Sequence, residues 1–113
     1  MSEPVYQIIG DSADVAEDKG KAYQVGGVQI AVIRHGGKLY ALDEFCTHAD
    51  ASLAFGPVKD GCVACPWHYA EFDLETGAAK SLPAVKPVRT FPIRETVDGR
   101  IEVAIGSPRE CGA

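Results

Sequence analysis

What this sequence lacks narrows its function before any motif is read. It has no basic stripe: 11 Lys and Arg stand against 16 Asp and Glu, for a net charge of −5, and the cations are scattered. Nucleic acid is therefore not an expected partner. It has no long apolar run. Stretches such as Ala31–Ile33 fall far short of the roughly 20 residues a membrane-spanning helix needs. Met1–Gly10 shows no basic region followed by an apolar run, so no secretory leader is expected and the cytoplasm is the expected location. No segment is of low complexity, and nothing repeats beyond two short Cys/His motifs. The 113 residues suit one domain, 1–113, and leave little room for a second.

What is present reads as nearly all β. Val28, Ile30 and Val32 alternate with Gln29 and Ala31, the period of a half-buried strand. Leu39–Leu42 makes a second strand, and Val5–Ile9 a first one. Ile101, Val103 and Ile105 alternate with Glu102 and Ala104. Phe91 and Ile93 share a face, but Pro92 between them cannot donate to a ladder, which places that strand at a sheet edge. Gly26-Gly27, Gly36-Gly37 and Asp98-Gly99 supply the positive φ of tight hairpins. The polar stretch Asp11–Asp18 has room for one helical turn. From Glu44 to about Pro83 the strands shorten and the Cys and His residues gather. A β base built from 1–43 and 84–113, with an inserted binding unit at 44–83, is the expected organisation.

Two motifs carry the chemistry: Cys46-Thr47-His48 and Cys65-Pro66-Trp67-His68, with sixteen residues between His48 and Cys65. Each offers one thiolate and one imidazole where a turn is expected. Two such loops brought together supply two sulfur and two nitrogen ligands, a set that suits zinc or an iron–sulfur centre. Two-Cys, two-His zinc sites ordinarily pair like with like in each motif. Here both motifs are mixed, which has a natural use where two irons must be told apart. The four cysteines, Cys46, Cys62, Cys65 and Cys111, are in a reducing compartment metal ligands or free thiols rather than disulfides.

The pattern Cys-Thr-His, sixteen residues, Cys-Pro-Trp-His, continued by Tyr69 to Gly77, resembles the Rieske signature, and most closely the ferredoxin components of bacterial ring-hydroxylating dioxygenases. The resemblance runs over roughly Val5 to Ile105. It implies a Rieske fold of three antiparallel sheets and one [2Fe–2S] cluster per chain. It implies that Cys46 and Cys65 hold the inner iron, and that His48 and His68 hold the outer, more exposed one. It also implies that Leu82–Pro87 is a proline-rich loop covering the cluster. The implied role is a one-electron carrier from a flavin-dependent NAD(P)H ferredoxin reductase to a terminal oxygenase, not an enzyme in itself. Other readings are the small subunit of an assimilatory nitrite reductase and, from another class, a structural zinc module.

Replacing two thiolates by neutral imidazoles removes two negative charges and eases reduction, to potentials of about −150 to +300 mV against about −400 mV for plant-type ferredoxins. High-potential relatives carry an extra Cys in each loop, joined as a disulfide; the matching residues here are Ala51 and Trp67. Those relatives also carry a Ser and a Tyr whose hydroxyls donate to cluster and ligand sulfur, where this chain has Ala70 and Phe72. A low-potential protein is implied.

The remaining polar residues have plainer expectations. Cys62 forms a Cys-x-x-Cys spacing with Cys65 but reads as a buried strand thiol, and Cys111 as a free thiol in a polar tail. His35 reads as an exposed turn residue, and Trp67 as apolar cover. Asp50, Glu71 and Asp73 form either an acidic docking rim or plain solvated surface. An acidic surface suits partners with basic docking patches. His35 alone, outside the two motifs, cannot supply the two histidines of a mononuclear iron site.

Overall fold

Among the described residues, short alternating runs and paired turn residues fold into ten strands. A computed structural model describes residues 6–25, 27–45, 52–66, 71–80 and 88–104. The strands are β1 (Gln7–Asp11), β2 (Lys19–Val25), β3 (Val28–His35), β4 (Lys38–Asp43), β5 (Val58–Lys59), β6 (Cys62–Ala64), β7 (Glu71–Asp73), β8 (Thr90–Phe91), β9 (Ile93–Glu95) and β10 (Arg100–Val103). Among the described residues there is no α-helix, only 3-10 turns at Ser12–Asp14 and Leu53–Phe55. No helix there is long and apolar enough to cross a membrane.

The strands form three antiparallel sheets, ordered β1-β10-β9, β2-β3-β4-β8 and β5-β6-β7. The middle sheet is covered on both faces. Ala31, Ile33 and Leu42 pack with Leu53, Val63, Cys65, Phe72, Leu74 and Val88 on one side. Ile30, Val32, Leu39 and Ala41 pack with Val25, Phe91, Ile101 and Val103 on the other. The half-buried strand expected over Val28–Val32 is thus a central one, with Ile30 through Ile33 all 0% exposed. The physical reason is that Ala31, small but apolar, faces the third sheet rather than water.

Pro92 divides the expected edge strand into two. Phe91 ends β8 at the edge of the middle sheet, and Ile93 begins β9 at the edge of the first. A residue without N–H cannot continue either ladder, and its carbonyl instead accepts the Ala104 N–H at 2.9 Å. Edge placement holds for both pieces.

One expected pair closes a tight hairpin; Gly26 lies outside the described residues, and in Asp98-Gly99 only Gly99 has positive φ (+84°), within the four-residue connection from β9 to β10. Gly36 and Gly37, at φ +63° and +77°, close a two-residue hairpin between His35 and Lys38. A further pair, Asp60-Gly61 at φ +52° and +78°, does the same between Lys59 and Cys62. Its Asp-Gly sequence is as strong a hairpin signal as those singled out above.

Candidate metal centre

Among the four expected ligands, Cys65 lies within the described residues; Cys46, His48 and His68 lie outside them. So do Asp50, Ala51, Trp67, Ala70, Cys111 and the 81–87 segment. The described part of the site is Cys65 and the backbone that bounds the three segments.

The Asp60-Gly61 turn launches β6, and strand alternation then decides the rest. Cys62 and Ala64 face outward and are half-buried, whereas Val63 and Cys65 face the core at 0% exposure. Cys65 follows β6 directly, packed among Leu53, Phe72 and Leu74. Both Cys62 and Cys65 are free thiols. Three residues of strand separate their Cα atoms by about 10 Å, beyond the roughly 7 Å limit for a disulfide. They also lie on opposite faces, so the Cys-x-x-Cys spacing is not a redox pair. Cys62 is half-buried rather than buried, because its face of β7 and β6 is the open one. Burial pushes its thiol up from the ordinary value, and the Asp73 and Glu71 carboxylates add to the effect.

The three bounding backbones adjoin one another. Phe45 and Ser52 form an isolated bridge; the Leu53 N–H donates to the Glu44 carbonyl at 2.6 Å, and the Ser52 hydroxyl to Glu44 Oε2 at 2.8 Å. Ala64 pairs with Glu71 across the second gap. Lys80 N–H donates to the Glu71 carbonyl at 2.7 Å, and Val88 N–H to the Gly77 carbonyl at 2.9 Å, at the two ends of the third. Asp43 ties the first to the third: its Oδ2 accepts the Arg89 N–H at 2.7 Å and its Oδ1 the guanidinium at 2.9 Å. Gly56 lets these pieces close. A Cβ there would lie 1.9 Å from the Ala64 carbonyl oxygen, so no side chain fits.

Asp73 has a local role as well: its Oδ1 accepts the Glu75 and Thr76 N–H groups at 2.8 and 3.0 Å and fixes the turn after β7. Glu71 is exposed on β7. One expectation changes: His35 is not an exposed turn residue. It ends β3 half-buried, with Nδ1 2.6 Å from Asp18 Oδ1 and Nε2 3.1 Å from the Gly61 nitrogen. The carboxylate and the neighbouring hairpin hold the ring against the protein. Nothing in the local sequence signals this, since Asp18 and Gly61 are far away along the chain. Sequence reasoning also missed the node in which Arg34 donates to the Val15 carbonyl at 2.7 Å and to the Ser12 carbonyl at 2.9 Å. The hydroxyl of buried Ser12 donates to Glu95, which holds that carboxyl below its ordinary range, with Arg34 adding to the effect.

The model of the Rieske [2Fe–2S] domain matches residues 5–92. The chain belongs to the Rieske family. Its cofactor is accordingly one [2Fe–2S] cluster, which replaces the zinc reading. The Rieske chain is 44% identical over 98 residues to the anthranilate 1,2-dioxygenase ferredoxin subunit of Burkholderia cepacia, covering 87% of this chain and 90% of that one. Among solved structures it is similar to the ferredoxin of carbazole 1,9a-dioxygenase from Nocardioides aromaticivorans IC177 (TM-score 0.81, 32% identity, 91% and 98% covered). It is also similar to a chain in the complex of reduced oxygenase and oxidised ferredoxin of carbazole 1,9a-dioxygenase (TM-score 0.79, 28%, 90% and 94% covered). A putative NADH-dependent nitrite reductase small subunit from Mycobacterium tuberculosis shares the fold (TM-score 0.83, 25%, 92% and 97% covered). The three antiparallel sheets are the Rieske fold. The residues present fit the cluster: a fully buried thiol, outside any disulfide, stands beside the converging bases of three segments.

Proposed function

We propose that this chain is the ferredoxin of a ring-hydroxylating oxygenase system, a one-electron carrier that accepts electrons from a flavin-dependent NAD(P)H reductase and delivers them to the terminal oxygenase. The observation that carries this reading is the extent of the likeness to the anthranilate dioxygenase ferredoxin subunit, 87% of one chain and 90% of the other at 44% identity. The likeness to the nitrite reductase small subunit is one of fold at 25% identity, which makes that role the second reading. The reading places the protein in the cytoplasm, where thiols such as Cys62 stay reduced.

In this reading Cys46 and Cys65 hold one iron and His48 and His68 the other, and 44–83 is the cluster-binding unit inserted in a β base of 1–43 and 84–113. When bound, the cluster supplies reversible one-electron chemistry at a potential raised by its neutral imidazole ligands. The chain contributes position and dielectric. Cys65 is held in a dry core by Leu53, Phe72 and Leu74, and the Phe45–Ser52 bridge closes the base of the Cys46–His48 loop. The chain makes no bonds to an organic substrate. Its third histidine, His35, is committed to Asp18 and Gly61 and cannot help to build a mononuclear iron site.

The test is direct. The purified protein is expected to be red-brown, to hold two irons and two sulfides as one cluster, and to give the Rieske electron-spin-resonance signal on reduction. Cys46→Ser, His48→Ala, Cys65→Ser and His68→Ala should each abolish that signal and lower stability, since metal binding and folding are coupled. Cys62→Ser and Cys111→Ser should retain it. A colourless protein with bound zinc, or loss of the cluster with Cys62→Ser, would contradict the ligand set. Reconstituted NAD(P)H-driven oxygenase turnover that proceeds equally without the chain would contradict the role.

A further inference from the structure

His35 is held at both ring nitrogens, and the two partners fix its protonation. The Gly61 backbone N–H, 3.1 Å from Nε2, can only donate, so Nε2 accepts and carries no hydrogen. The neutral ring then has its hydrogen on Nδ1, where the Asp18 carboxylate accepts it at 2.6 Å. Both anchor points sit in constrained backbone. Asp18 (φ +57°) and Asp60 (φ +52°), the residue before Gly61, are the positive-φ non-glycine residues among those described. The Asp18 N–H donates to the Arg34 carbonyl at 2.7 Å, and the Leu74 N–H to the Gly61 carbonyl at 2.9 Å. The ring thus spans from the end of the middle sheet to the hairpin whose second strand runs into Cys65.

The carboxylates of Glu17 and Asp18 and the His35 ring have donor atoms within 4.8 Å of one another, but this is not a metal site. The Glu17 carboxylate accepts the Gly36 and Gly37 N–H groups, and both His35 nitrogens are engaged. Other charges near the ring have their own partners or flank it at the chain level. Lys38, the register partner of His35 on β4, reaches Glu75 at 3.3 Å and the Tyr40 ring. Arg34 points the other way, to Ser12 and Val15. Lys19 is paired with Arg34 in the β2–β3 register, and Lys59 and Asp60 flank Gly61 in its hairpin.

We propose that His35 is a proton-sensitive positioning residue of the cluster site: its neutral ring pins the Asp60-Gly61 hairpin, and with it the strand ending in Cys65, to the middle sheet, and its protonation releases that hairpin. On protonation Nε2 gains a hydrogen that faces the Gly61 N–H, and neither group can accept. The Asp18 contact survives as an ion pair at the other ring nitrogen, but it does not touch the hairpin. The part-buried Gly61 N–H loses its acceptor, which costs the hairpin its tie to the middle sheet. The tie to Gly61 therefore belongs to the neutral ring and is lost when Nε2 takes a proton. The effect on the cluster rests on the reading of Cys65 as a ligand; the contact with Gly61 does not.

The experiment titrates the nitrogen-15-labelled, oxidised holoprotein from about pH 8 to about pH 5.5, across the ordinary histidine range, by NMR. In parallel, cluster loss to a chelator is followed by visible absorbance. At the upper end His35 should show the Nδ1–H ring form, and the Gly61 amide should move with the His35 midpoint. Below that midpoint the wild type should lose its cluster several-fold faster than His35→Gln, whose side-chain carbonyl accepts at every pH. His35→Leu should lose it fast throughout, with the pH step gone. An Nε2–H ring at neutral pH, or a Gly61 amide indifferent to His35, overturns the contact. Equal rates for wild type and His35→Gln at every pH overturn the positioning role. Retention of the cluster by Cys65→Ser would instead overturn the ligand reading, and with it the route from His35 to the cluster, while leaving the Gly61 titration as it is.

Discussion

Phe72 shows how much one hydroxyl decides. Its side chain is fully buried opposite Val63, on the face of the third sheet that also holds Cys65. A hydroxyl placed there needs an acceptor to offset its burial, and a ligand sulfur beside Cys65 is the acceptor the Rieske reading supplies. Ala70, its companion in the family comparison, lies outside the described residues. The double change Ala70→Ser, Phe72→Tyr is expected to raise the reduction potential. A hydrogen bond to a charged group contributes roughly 1.5–3 kcal/mol, and 59 mV corresponds to about 1.4 kcal/mol for one electron, so each bond made is worth on the order of 50–100 mV. Protein-film voltammetry measures it. An unmoved potential, with both hydroxyls seen to aim at sulfur, would show that solvent exposure and net charge set the potential instead.

At the scale of elements, β3 carries two cores on one backbone. Ile30 belongs to the base-side core with Ile101 and Val103, and Ile33 to the core shared with Cys65. Both are 0% exposed, so Ile30→Ala and Ile33→Ala should each cost about 2–5 kcal/mol in urea unfolding. Their effects on the cluster should differ. Ile33→Ala opens a cavity in the packing around Cys65 and should speed cluster loss well below the unfolding midpoint, whereas Ile30→Ala should not. Visible absorbance and far-ultraviolet circular dichroism followed together separate the two. Equal acceleration by both variants would mean that the middle sheet transmits the loss rather than insulating one core from the other. Pro92 belongs to this scale too, since one missing N–H turns a single edge strand into two strands in two sheets.

For the whole molecule, the relevant quantity is the field presented to a partner. A net charge of −5 on 113 residues steers association with a basic docking patch more than it tightens the complex. Raising salt from about 0.1 M to about 1 M shortens the Debye length from about 10 Å to about 3 Å. The second-order rate of electron delivery to the oxygenase, read by stopped flow, should therefore fall steeply, while the first-order rate within the bound complex changes little. A second-order rate indifferent to salt would exclude electrostatic docking.

The sequence by itself determined several of the strands, the Gly36-Gly37 hairpin and the family, but not β2 or the Asp60-Gly61 turn. Period-2 patterning, Gly-Gly and Asp-Gly pairs, and the mixed Cys/His motifs act over a few residues, so one chain without relatives is enough to read them. Which face of a strand meets which neighbour is a different matter. Val28–Val32 reads as half-buried until the third sheet is seen to cover Ala31 and Ile33. Cys62 reads as a buried strand thiol until strand alternation in the fold sends it to the open face, opposite Cys65. His35 reads as an exposed turn residue until a carboxylate 17 residues before it and an N–H 26 residues after it close on its two nitrogens. Only the tertiary structure decides such contacts, because their energy comes from groups that the chain brings together last and that carry no mark of one another in the local sequence.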